Sequence, residues 1–133
     1  MGKIKKVLKK FQRVKKEKVL IPCLEGHFLD NRCALITGAS SGIGYAIAEA
    51  FLKNGADVII TGRNVEKLDK VKNKLIEKYG YSEKRIVVGY LDILEVDKLK
   101  NNFDIITNNY KKKIDIFVNN AGVNCGSLFP NTS

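Results

Sequence analysis

The segment Thr37-Gly38-Ala39-Ser40-Ser41-Gly42-Ile43-Gly44 restricts the fold more than any other in this chain. Three glycines and two serines stand between an apolar run and a helix-patterned stretch. Cys33-Ala34-Leu35-Ile36-Thr37 reads as a short buried strand. Gly42 to Lys53 reads as a helix, with Ile43, Ala46, Ile47, Ala50 and Phe51 expected on its inner face. Gly55, just past Asn54, suits a left-handed turn that ends the helix.

The same alternation continues. Asp57 to Thr61 is a second strand. Asn64 can cap a helix that runs to about Tyr79, with Val65, Leu68, Val71, Leu75 and Ile76 as its apolar stripe. Arg85 to Leu91 is a third strand. Glu95 to about Lys111 is a third helix, with Val96, Leu99, Phe103 and Ile106 facing inward, and Ile114 to Asn119 is a fourth strand. Near-continuous apolar strands alternating with amphipathic helices imply a parallel sheet covered on both faces. The expected fold is α/β, a Rossmann-like doubly wound sheet in the order 3-2-1-4.

On that map the glycine stretch leaves the first strand and opens the first helix. A helix N-terminus carries unsatisfied N–H groups and about half a positive charge, so it favours phosphate. Gly38 permits the tight turn, Gly42 removes a side chain where a pyrophosphate must approach the backbone, and Gly44 lets the helix pack closely. Ser40 and Ser41 can add hydroxyl donors. With the strand before and the helix after, the pattern implies a dinucleotide site.

The spacing is Gly-x-x-x-Gly-x-Gly after a threonine. It resembles the cofactor loop of the short-chain dehydrogenase/reductase family. Two further stretches carry the resemblance: Asn119-Asn120-Ala121-Gly122 directly after the fourth strand, and Leu91-Asp92-Ile93 after the third. Residues 29–63 look most similar to the 3-oxoacyl-acyl-carrier-protein reductase branch. The resemblance implies that Asp92 bonds the adenine amino group, that Ile93 adds a backbone contact, and that Asn120, Ala121 and Gly122 line the adenosine ribose. It also adds Thr37 and Ile43 to the cofactor loop. It implies an oxidoreductase acting on a small carbonyl or alcohol substrate in a complete protein.

The cofactor choice rests on the end of the second strand. An NAD enzyme places an acid there to hold both ribose hydroxyls. Here the strand ends Thr61-Gly62-Arg63, with no carboxylate at hand. Arg63 can pair bidentately with a 2′-phosphate, so NADP(H) is favoured over NAD(H). Against this, many NADP-dependent relatives carry a basic residue where Ser41 stands.

In the resembled family, chemistry uses a Tyr and a Lys at i and i+4 on a later helix, with a preceding Ser. None of the five tyrosines fits. Tyr45 is followed four later by Glu49, Tyr79 by Glu83, Tyr81 by Arg85, Tyr90 by Leu94 and Tyr110 by Ile114. No catalytic residue is assigned. Residues 29–133 are therefore expected to be the cofactor-binding domain, cut before its catalytic half and inactive alone. The alternative is a noncatalytic dinucleotide-binding module or pseudoenzyme whose basic arm contacts a membrane or a partner.

Residues 1–28 form a basic arm and connector. The chain has 24 Lys and Arg against 14 Asp and Glu, a formal net charge of +10, and about +8 of it lies in residues 1–18. Ile4, Val7, Leu8, Phe11 and Val14 fall at helical spacing, so residues 3–18 are expected to form a basic amphipathic helix. It could rest weakly on an anionic membrane, touch nucleic acid nonspecifically or be solvated. No specific nucleic-acid partner is expected. The three cysteines, 23, 33 and 125, lack metal spacing and fit a reducing cytoplasm. A single histidine, His27, excludes a histidine-rich metal site. No metal ligands are assigned.

Overall fold

The structure, a computed structural model, describes residues 26–111 and 113–122. The expected basic helix at residues 3–18 lies outside the described residues. Four strands and three longer helices alternate: β1 (Cys33–Thr37), α1 (Gly42–Lys53), β2 (Asp57–Gly62), α2 (Val65–Tyr79), β3 (Ile86–Tyr90), α3 (Val96–Tyr110) and β4 (Ile116–Val118). A 3-10 turn, Glu83–Arg85, leads into β3. The strands form one parallel sheet in the order β3-β2-β1-β4, as the right-handed crossover rule leads one to expect.

Alternation along each strand divides the core between two faces. Ala34, Ile36, Val58, Ile60 and Ile86 meet Ala48, Leu52, Leu68, Val71 and Leu75, so α1 and α2 share one face. Cys33, Leu35 and Ile59 meet Ile106 and Tyr110 of α3 on the other. Cys33 is a buried strand residue. The apolar residues of β1 and β2 are almost wholly buried, which fits central strands with helices on both sides.

The faces of two helices differ from expectation. In α1 the fully buried residues are Gly44, Ala48 and Leu52, whereas Ile43 is 73% exposed and Ala46 is exposed. Ile47 and Phe51 only flank the core. Gly44 packs against the loop after β1, and Ala48 and Leu52 continue the buried line into the core. In α3, Ile106 and Tyr110 are buried, Leu99 packs beside them, and Val96 and Phe103 face outward. In α2 the expected Leu68, Val71 and Leu75 are buried, while Val65 is exposed.

The ends of the elements are tied by polar contacts. Gly55 takes φ +94°, and a Cβ there would collide with the Asp30 carboxylate. Arg85 donates through Nη2 to the Leu52 and Ala56 carbonyls at 3.1 and 2.7 Å. Its guanidinium also lies over the Tyr81 ring. Arg85 thereby ties the turn after α1 to the start of β3, adding to the Gly55 N–H that the Leu52 carbonyl already accepts. His27, in the connector, is exposed and pairs with Asp30 at 3.1 Å.

Candidate functional site

Loops at the C-terminal ends of the strands enclose a cavity of about 380 Å³. The loop after β1 contributes Gly38, Ser40 and Ser41. The end of β2 contributes Gly62, Arg63, Asn64 and Lys67. Leu91, Asp92, Ile93 and Leu94 come from the end of β3, and Asn120, Ala121 and Gly122 from the end of β4. Four separate stretches of sequence are thus brought to one place, in the crevice outside the carboxyl ends of a doubly wound sheet where ligands of such folds bind.

Four residues expected at the site stand behind or beside the cavity. Thr37 is 2% exposed. Its hydroxyl donates to the Val118 carbonyl at 3.3 Å and accepts from the Asn120 and Ala121 N–H groups at 3.0 and 2.9 Å. One donor and both acceptor positions are occupied, so Thr37 joins the β1 and β4 loops. Gly44 is buried under the same loop. A Cβ there would run into the Gly38 carbonyl oxygen and stand 2.6 Å from Asn120 Nδ2. Gly42 lies at φ +59° with open space where a side chain would project. Ile43 points outward at the start of α1.

Asn120 holds the loop shape. Its side-chain amide donates to the Thr37 and Gly38 carbonyls, both at 3.1 Å. Gly38 turns at φ +68°, with Ala121 so near that a Cβ would stand 2.9 Å from the Ala121 Cα. From the other side, the Gly38 and Ala39 N–H groups donate to the Thr61 carbonyl at 2.8 and 3.2 Å. The glycine loop is therefore clamped between the ends of β2 and β4.

The helix N-termini at the cavity differ in their local chemistry. Asn64 caps α2, its side-chain oxygen accepting from the Lys67 N–H at 3.0 Å, and Glu66 lies in the first turn. At α1, Ser41 makes no capping bond and the first turn has no acid. The N-terminal N–H groups of α1 are left for a partner from outside the helix. With the bare Gly42 beside them, they suit a phosphate group.

The far wall is polar and partly engaged. Asp92 Oδ1 accepts from the Leu94 N–H at 2.9 Å, a local turn that leaves its other oxygen uncommitted to that bond. Arg63 and Lys67 are exposed. Lys67 was not among the residues expected from sequence, because a lysine in a helix reads as part of a solvated face. Its signal was the spacing: four residues beyond Arg63 and three beyond the Asn64 cap, it falls in the first turn, against the glycine loop.

Residues 32–133 match the sequence profile of the short chain dehydrogenase family. The chain belongs to this family. It is 36% identical over 101 residues to the 3-oxoacyl-acyl-carrier-protein reductase of Aquifex aeolicus, covering 76% of this chain and 39% of that one. It is also 36% identical over 96 residues to the NAD(+) 15-hydroxyprostaglandin dehydrogenase of Bos taurus, covering 72% and 35%. The L-sorbose reductase of Gluconobacter frateurii, solved with NADPH and L-sorbose, superposes with a TM-score of 0.67 at 31% identity, covering 80% of this chain and 39% of that one. The chain thus spans well under half the length of these short-chain dehydrogenase relatives.

Among the described residues, no helix is long and apolar enough to cross a membrane.

Proposed function

We propose that this chain is the cofactor-binding part of an NADP(H)-dependent short-chain oxidoreductase of the carbonyl or 3-oxoacyl reductase type. The observation that carries the cofactor choice is Arg63, which lines the cavity at the end of β2 with no carboxylate from β2 beside it. A carboxylate there would repel a 2′-phosphate, whereas a guanidinium can hold it with two hydrogen bonds. The uncapped start of α1 and the open space at Gly42 support a pyrophosphate at the glycine loop. In this reading Gly38, Ser40, Ser41, Gly42, Ile43 and Gly44 shape or line the pyrophosphate cradle. Asp92 and Ile93 bound the adenine. Asn120, Ala121 and Gly122 border its ribose, and Thr37 keeps their loop in place.

When bound, the nicotinamide supplies or takes the hydride. The residues of this chain bind and orient the other end of the cofactor. Tyr-x-x-x-Lys is absent from the 133 residues, so the reading gives this chain cofactor binding and no proton transfer.

The test is Arg63→Glu, with NADPH and NADH titrated by nucleotide fluorescence. Losing a charge-assisted hydrogen bond costs about 1.5–3 kcal/mol, so NADPH should weaken by about 10-fold to 100-fold, with NADH little changed. Equal losses for the two cofactors would remove Arg63 from the site.

A further inference from the structure

We propose that Lys67 is a second cation for the 2′-phosphate of NADP(H), acting with Arg63 to select the phosphorylated cofactor; this rests on the dinucleotide reading above. Lys67 lines the main cavity together with Arg63 and Ser41. It also lines an adjoining groove of about 380 Å³ with Ser40, Ser41 and Gly42. It therefore stands on the wall that the two hollows share, facing the glycine loop. The Asn64 cap accepts its backbone N–H at 3.0 Å and so holds the turn that carries it.

Among the described residues, neither the Arg63 guanidinium nor the Lys67 ammonium has an ion-pair or hydrogen-bond partner. The neighbouring Glu66 lines neither hollow. Among the described residues, the only carboxylate lining this cavity is Asp92, on the loop after β3. Two unneutralised cations on one cavity wall disfavour each other, and an anion between them relieves this. A phosphate monoester carries about −1.5 to −2 at neutral pH. A single arginine balances about half of that, and a second cation balances the rest. A ribose 2′-hydroxyl has no charge to offer either of them.

Lys70 provides the control. It stands one turn further along α2 and lines the adjoining groove, but it does not line the main cavity. Lys67→Gln and Lys70→Gln remove the same charge from the same helix face.

The experiment titrates the wild-type chain, Arg63→Glu, Lys67→Gln and Lys70→Gln with NADPH, NADH and 2′,5′-ADP, with folding checked by circular dichroism. Lys67→Gln should weaken NADPH and 2′,5′-ADP by ~10-fold or more and leave NADH within about twofold, with Lys70→Gln close to wild type. If discrimination depends on Arg63 but Lys67→Gln behaves like Lys70→Gln, the Lys67 assignment fails and the dinucleotide reading stands. Equal weakening of NADPH and NADH by Lys67→Gln overturns the assignment too, because it removes the 2′-phosphate as the group contacted. If the folded wild type binds none of the three probes, both readings fall.

Discussion

A methyl group on Gly44 would meet the Gly38 carbonyl oxygen, the Asn120 amide nitrogen at 2.6 Å and the Ala39 Cα at 2.9 Å. Two of these are backbone atoms of the loop, and the third is engaged in both of its hydrogen bonds. None can yield cheaply. Gly42 is different: its φ of +59° asks for glycine, but space around it is open. Overpacking of a tight site costs about 1–3 kcal/mol, and alanine in a helix returns up to about 1 kcal/mol. Gly44→Ala should therefore lower the urea midpoint of unfolding, and its cost should be smaller when measured in an Asn120→Ala background, where one obstacle is gone. A Gly44→Ala chain as stable as wild type would mean that α1 can move off the loop. The role of Gly44 was legible in the sequence as close packing, although its contacts prove to be the loop and Asn120. Thr37 was less legible. A threonine beside a glycine loop reads as a ligand group, but its hydroxyl is consumed by Val118, Asn120 and Ala121, residues more than 80 positions away.

Among the elements, β4 depends on a single charged residue for part of its attachment. Asp115 precedes the strand and accepts from the Cys33 N–H at 3.1 Å, with the Arg32 guanidinium at 3.4 Å. The Cys33 N–H, supported by the Arg32 charge, holds the Asp115 carboxyl below its ordinary range. A carboxyl whose folded pKa is depressed contributes stability that is fully present above its unfolded value, about 3.9, and is lost as pH falls through the folded value. Asp115→Ala should thus be less stable than wild type at pH 7, and the gap should narrow as the pH is lowered below about 4. Thermal unfolding of the two chains across that range checks it; a gap that stays constant or widens on acidification would assign the effect to packing. Strand positions were readable because their apolar runs are dense and bounded by Gly, Asn and Asp. Helix faces were harder. In α1 the large residues Ile43, Ile47 and Phe51 suggested one inner face, yet Gly44, Ala48 and Leu52 carry the burial. Hydrophobic periodicity weighs size, while close approach of the helix start to the loop selects glycine at position 44.

Across the whole molecule, sheet order and cavity follow from connectivity. Three parallel crossovers starting at a central β1 send β2 and β3 to one side and β4 to the other, the arrangement that right-handed connections produce. The switch in direction opens the crevice where Gly38, Arg63, Asp92 and Asn120 converge. That convergence could be anticipated from the strand–helix order, while Lys67 required the packing of α2 against the glycine loop. We propose that this assembled cavity takes a dinucleotide and prefers the 2′-phosphorylated form. Isothermal titration calorimetry of the chain with NADP+ and with NAD+, at one salt concentration, tests it most directly. NADP+ should bind more tightly by about 10-fold or more, the worth of one charge-assisted contact. Equal affinities, tighter NAD+, or no heat of binding to either by a folded chain would contradict it.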